Sequence, residues 1–173
     1  SYECGFGIRV DATTGNSVYV TGGTNSPDLF QGSTTGYQST YSDNVDGYIA
    51  KLAPDGQSVL KSTFLGTSSY DQCYMIDLDN KADVYVFGQT QGIYPVSANT
   101  YSNLNSGQFI HKLSNDLSTS GFSTVFGSGS GSPDISPTAF MVNDCRKIFL
   151  SGWGGTINSE QERIYVWRDS DRS

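Results

Sequence analysis

One short phrase occurs three times in this chain, and its spacing restricts the fold more than any other sequence feature. The copies are VYVTG at residues 18–22, VYVFG at 84–88 and IFLSG at 148–152. The steps between their final glycines are 66 and 64 residues. Repetition at a nearly fixed period predicts supersecondary units that stack on one another.

Two further phrases keep a similar spacing. GYIAKL at 47–52 returns as QFIHKL at 108–113, and TFLGT at 63–67 returns as TVFGS at 124–128, both 61 residues later. Each repeat divides into short runs rich in Val, Ile, Tyr and Phe, often alternating with polar residues, which indicates β-strands. Segments rich in Asp, Asn, Gly and Pro separate the runs and are typical of turns.

The sequence therefore predicts an all-β fold of four-stranded antiparallel units. The predicted strands are 6–11, 17–24, 47–52 and 59–66, then 74–79, 83–89, 108–113 and 122–127, and finally 139–143, 147–152 and 163–168. Four strands per repeat are typical of β-propeller blades. The blade-like repeats are 2–69, 70–131 and 132–173, about two and three-quarter blades of a larger propeller.

An open set of fewer than three blades predicts association. A propeller closes its ring with roughly four to eight blades. Two apolar blade faces then meet water, and such faces mark interaction sites. We therefore expect the chain to be part of a longer protein or to pack against neighbouring domains.

Composition limits the classes of function. Seventeen acidic and ten basic residues give a net charge of −7, which disfavours binding to a phosphate backbone. No apolar run approaches the length of a membrane span, so we expect no membrane insertion.

The three cysteines, Cys4, Cys73 and Cys145, have no metal-type spacing. They are interpreted as small packing residues or as one disulfide plus a free thiol, and the sequence leaves the pairing open.

The recurring phrases resemble the SBBP-type β-propeller repeat. The first copy carries the pattern best, in Val10-Asp11, Gly15-Asn16, residues 18–22, residues 24–30, Asp46 to Leu52 and residues 64–67. The second copy departs from it at residues 92–95 and at Gly107-Gln108, where an acidic residue is usual. Residues 107–113 and 143–155 are similar to the propeller region of very large bacterial surface proteins.

The resemblance implies a cellular setting. Its family contains type IX-secreted proteins associated with gliding motility in Gram-negative bacteria. The chain is therefore expected to be a non-catalytic, adhesin-like module on the cell surface. It would bind neighbouring domains of its own longer chain, or proteins of the secretion system or cell surface. The alternatives are a carbohydrate-active propeller enzyme and a propeller lectin that binds surface glycans.

One acidic turn is a candidate calcium site. Asp77, Asp79, Asn80 and Asp83 place carboxylate and amide oxygens close together, as Ca²⁺ requires. The run lacks the glycine and the distal glutamate of an EF-hand loop, and Asx residues are also ordinary turn formers. We therefore expect structural turn residues here, and no cofactor.

Other side chains that carry chemistry also have structural interpretations. His111 is the only histidine and lies in a predicted strand, without a marked nucleophile nearby. Lys51 and Lys112 recur at one position of the repeat, which favours solvated or edge-protecting charges over ligand-binding ones. Glu3, Asp71 and Asp77 are the candidate carboxylates for glycoside hydrolysis.

Aromatic residues provide a candidate ligand-binding surface. Trp153, Tyr94 and Tyr101, together with Trp167, have the large rings on which sugars stack. The same rings supply packing between blades without any ligand. Packing is the favoured interpretation, and a shelf of exposed rings would favour the lectin.

Overall fold

The chain folds into three antiparallel sheets. A computed structural model describes residues 1–13, 15–33 and 35–154. Sheet A contains β1 (Glu3–Val10), β2 (Val18–Thr24), β3 (Asp46–Leu52) and β4 (Val59–Leu65). Sheet B contains β5 (Asp71–Leu78), β6 (Val84–Thr90), β7 (Gln108–Leu113) and β8 (Ser120–Phe126). Sheet C contains β9 (Ser136–Val142) and β10 (Ile148–Trp153).

The prediction of an all-β fold with four-stranded antiparallel sheets is confirmed. In sheets A and B the strands follow sequence order, each paired with the next. The described residues form no helix, and so none long and apolar enough to cross a membrane. The strand predicted at 163–168, and Trp167 within it, lie outside the described residues.

The recurring phrases lie at equivalent places in their sheets. The three glycine-ended phrases form the second strand of each sheet, where Val20 pairs with Ile8, Val86 with Ile76, and Leu150 with Phe140. The two lysine-containing phrases form β3 and β7. The repeat in the sequence is therefore a repeat of strand position and register.

A bulge explains why each phrase ends in glycine. The pairing of the first two strands of every sheet shifts register at or beside this glycine, which marks a β-bulge. A Cβ atom on the glycine would collide with, or press against, a carbonyl oxygen of the first strand. The glycine and carbonyl pairs are Gly22 with Cys4, Gly88 with Gln72, and Gly152 with Ser136.

The hairpins of the three sheets share one turn design. Asp11, Asp79 or Asn143 begins each turn and accepts a backbone N–H from within it, at 2.8 to 2.9 Å. One residue of each turn has a left-handed backbone, with φ between 58° and 60°; these residues are Asn16, Ala82 and Arg146. The side-chain acceptor offsets the cost of this conformation in residues other than glycine.

The sheets pack face to face in chain order. Strand β5 lies against β1, β2 and β3 of sheet A, and β9 lies against β5 and β6 of sheet B. Alternation along β6 divides the two cores: Val84 and Val86 face sheet A, while Tyr85 and Phe87 face sheet C. Sheet B therefore lies between sheets A and C. Among the described residues, sheets A and C each have one neighbouring sheet.

Candidate functional site

The acidic turn at 77–83 is neutralised by cationic side chains of the protein itself. Asp77 accepts a hydrogen bond from Arg9 of sheet A at 2.9 Å and another from the backbone N–H of Val142 of sheet C at 2.7 Å. It therefore ties all three sheets together.

Asp79, two residues further on, is buried, and its Oδ2 lies 3.2 Å from both the Lys112 Nζ and the Tyr85 hydroxyl. Asp83 lies 3.0 Å from the same ammonium group. Within the ranges that the structure describes, no three acidic, histidine or cysteine side chains are grouped as metal ligands.

Lys112 and Lys51 have different partners at the same position of the repeat. Lys112 lies over the Tyr85 ring between two carboxylates. Burial alone lowers the pKa of Lys112, but its interactions with Tyr85, Asp83 and Asp79 raise this pKa above the ordinary value. Lys51 lies over the Tyr19 ring and donates to the carbonyl oxygen of Asn115 at 3.1 Å. Both lysines are therefore structural in this geometry.

His111 is fully buried within a polar network of sheet B. Its Nδ1 lies 2.9 Å from the Tyr94 hydroxyl and its Nε2 lies 2.8 Å from the Ser120 hydroxyl. The Tyr37 ring, in the link between β2 and β3, makes a T-shaped contact with the imidazole at a centroid distance of 5.2 Å. Burial lowers the pKa of His111 to about 4, so the ring is neutral at pH 7. Both ring nitrogens are already hydrogen-bonded, and the side chain does not reach solvent.

The candidate hydrolase carboxylates have separate partners. Glu3 is exposed and accepts a short hydrogen bond from Ser26. Asp71 is buried, and its Oδ2 accepts the backbone N–H and the hydroxyl of Thr67 at 2.6 and 2.7 Å. Asp77 bonds to Arg9, as described above. Each carboxylate holds a different loop or sheet in place.

Asp46 is a buried carboxyl that the sequence did not single out. Its Oδ2 accepts the backbone N–H of Ser42 at 2.8 Å, whereas its Oδ1 is buried without a hydrogen bond. Burial, together with the nearby charge of Asp71, raises the pKa of Asp46 to about 7. The only sequence signal was the recurring DGYIAKL phrase, and the second copy has Gly107 at this position.

The three candidate stacking residues do not share one environment. Tyr94 is only 4% exposed and stacks on Phe109 with a centroid distance of 4.0 Å. Tyr94 is therefore a core residue that bonds to His111, in line with the packing interpretation, and it is wrong as a candidate stacking residue. Trp153 and Tyr101 remain available, at 63% and 62% exposure.

The three cysteines are unpaired. Cys73 is buried in the core between sheets A and B, Cys4 is partly buried, and Cys145 is exposed. Burial raises the pKa of the Cys73 thiol, which keeps it protonated and unreactive. Cys73 is therefore a packing residue, whereas Cys145 is a surface residue.

No protein-family model matches the chain, and no curated protein matches it. The structure therefore defines a class by architecture alone: an all-β chain of stacked antiparallel sheets.

Proposed function

We propose that the chain is a non-catalytic structural and interaction module of a secreted cell-surface protein. In this proposal the three sheets are blades of a larger β-propeller, and their outer loops and end faces bind partners. One observation supports the proposal: the side chains with potential chemistry are engaged in structural bonds. Asp77 bonds to sheets A and C, whereas Asp79, His111 and Lys112 have partners within sheet B. Asp77 thus joins the three sheets, and the other three side chains hold the strands, turn and link of sheet B in place.

The proposed setting is the surface of a gliding, type IX-secreting bacterium. The support is the resemblance of the repeat phrases to the SBBP-type repeat. A surface module needs rigid units that project loops, and stacked sheets that each contain a bulged, tightly turned hairpin have that property. Partners in this setting are neighbouring domains of a longer chain, or proteins of the secretion system or cell surface.

Surface labelling tests this location. An antibody raised against the purified protein is applied to intact cells of the producing bacterium, with a cytoplasmic protein as the control. We expect labelling of intact cells that is lost after brief treatment with external protease. Labelling that appears only after the cells are permeabilised contradicts the proposal.

A glycan-binding role is the second candidate. The exposure of Trp153 and Tyr101 favours it, because exposed rings are the usual platforms for sugar stacking. Binding to a glycan array that is abolished by Trp153→Ala, but kept in Ile93→Ala, would establish a lectin. A panel of chromogenic glycosides is expected to show no turnover above the buffer blank.

A further inference from the structure

The outer face of sheet A is exposed only along β1 and β2. Its β3 and β4 half is buried, with Tyr48, Ala50 and Phe64 at most 8% exposed. The exposed half, called the back face, consists of Ile8, Val10, Val18 and Val20, which point away from sheet B; Val18 and Val20 are partly buried. By register, the equivalent residues in sheet B are Ile76, Leu78, Val84 and Val86, and in sheet C they are Phe140, Val142, Ile148 and Leu150. In those sheets they line the core against the preceding sheet.

The difference in exposure at these positions is large. Ile8 is 60% exposed, whereas its equivalents Ile76 and Phe140 are 3% and 7% exposed. Val10 is 57% exposed, whereas Val142 is 7% exposed. The repeat itself therefore indicates what covers such a face, namely the front face of another sheet of the same kind.

Sheet C presents the matching surface at the other end of the stack. Its front face includes Met141, Phe149 and Trp153, on the side turned away from sheet B. The residues equivalent to Phe149 are Tyr19 and Tyr85, and both are buried beneath the following sheet. Met141 and Trp153 are more than half exposed.

We propose that a second copy of this chain docks head to tail, with the front face of its sheet C covering the back face of sheet A. The same two kinds of face already meet twice within the chain, at the A–B and B–C interfaces. The four named residues of the back face are all aliphatic, and Met141 stands where sheets A and B carry Arg9 and Asp77. The contact is therefore driven by apolar burial.

The proposed contact has a definite symmetry. It joins two different faces, so it is heterologous and leads to a closed ring or to an open chain of copies. It rests on the blade-like stacking within the proposed function and adds the identity of one partner.

Light scattering with two variants tests the docking. Wild-type protein is expected to increase in mass with concentration, to at least twice the monomer mass. Ile8→Glu, in the back face, and Met141→Glu, in the front face of sheet C, are each expected to remain monomeric. An equimolar mixture of the two is expected to form a dimer and stop, because it retains one intact face of each kind.

The controls separate docking from folding. Ile93→Glu changes a residue that is 92% exposed and outside both faces, and it should associate as the wild type does. Far-UV circular dichroism and thermal unfolding check that each variant is folded. If Ile8→Glu does not fold, Val10→Ser replaces it in the same experiment.

Three results would overturn the proposal. They are a wild-type protein that is monomeric throughout, a Met141→Glu variant that associates like wild type, and a mixture that stays monomeric. None of these affects the proposed surface location, which the antibody experiment tests separately. Conversely, labelling confined to permeabilised cells would leave the docking result intact.

Discussion

The two interfaces between sheets use equivalent positions but different chemistry. Between sheets A and B the core includes Tyr94 and His111, and the Tyr19 hydroxyl crosses the interface to the carbonyl oxygen of Asn115 at 2.7 Å. Between sheets B and C the core is mainly apolar, with the Phe87 ring packed on Phe140. The repeat thus determines where the sheets meet, while the individual side chains decide how each interface responds to pH and to truncation.

Truncation in the apolar interface should have the largest effect. Phe87 is fully buried and contacts the rings of Phe126 and Phe140 at centroid distances of 5.8 and 5.9 Å. Phe87→Ala should lower the free energy of unfolding by about 4 kcal/mol, because it removes apolar contacts and leaves a cavity. Urea denaturation measures the loss. Tyr101→Ala, at an exposed ring, is the control and should change stability by less than about 0.5 kcal/mol.

Acid should destabilise the polar interface through His111. The folded-state pKa of about 4 lies below the ordinary value of 6.5, so the unfolded chain binds the proton more readily. This contribution to stability is complete above pH 6.5 and is lost as the pH falls towards 4. The loss should be about 3 kcal/mol in wild type relative to His111→Gln. Parallel curves of unfolding free energy against pH for the two proteins would contradict it.

The contribution of Asp46 to stability should change with pH in the opposite direction to that of His111. Its folded-state pKa of about 7 lies above the ordinary value of 3.8, so its contribution is complete below pH 3.8 and is lost as the pH rises through 7. Relative to Asp46→Asn, wild type should therefore lose stability on going from pH 4 to pH 8. An unfolding series in matched buffers measures the difference, and a change of the opposite sign would refute the burial of this carboxyl.

The equivalent lysines offer a matched comparison of the two interfaces. Lys112→Met leaves the Asp79 carboxylate buried without its cation, so we expect a loss of about 2 kcal/mol. Lys51→Met removes only a bond to a carbonyl oxygen and a ring contact, with an expected loss of about 1 kcal/mol. Equal losses in denaturant unfolding would show that the carboxylates around Lys112 contribute nothing extra.

The ion pair between sheets A and B should have the smallest effect. Arg9 is about half exposed, and its bond to Asp77 meets solvent. Arg9→Gln should cost about 0.5 kcal/mol, and the loss should shrink in high salt. A loss several times larger, unchanged by salt, would mean that this pair is shielded from solvent.

The sequence predicted the strands well because strand alternation and turn residues are local signals. It began β1 and β5 three residues late, since the bulges near Gly5 and Cys73 break the alternation. It named Tyr94 as a candidate stacking residue while favouring packing, and only the folded link between β6 and β7 shows that this ring covers Phe109. The partners of Lys112 lie about 30 residues earlier in the chain, where no local pattern connects them.

Contacts between aromatic rings of successive sheets test the central claim most directly. The Phe6 ring lies 5.1 Å from Tyr74 across sheets A and B, and the Phe87 ring lies 5.9 Å from Phe140 across sheets B and C. Nuclear Overhauser spectra of the labelled protein should show cross-peaks for both ring pairs. Strand pairing within each sheet, with neither cross-peak between sheets, would contradict the stacked arrangement.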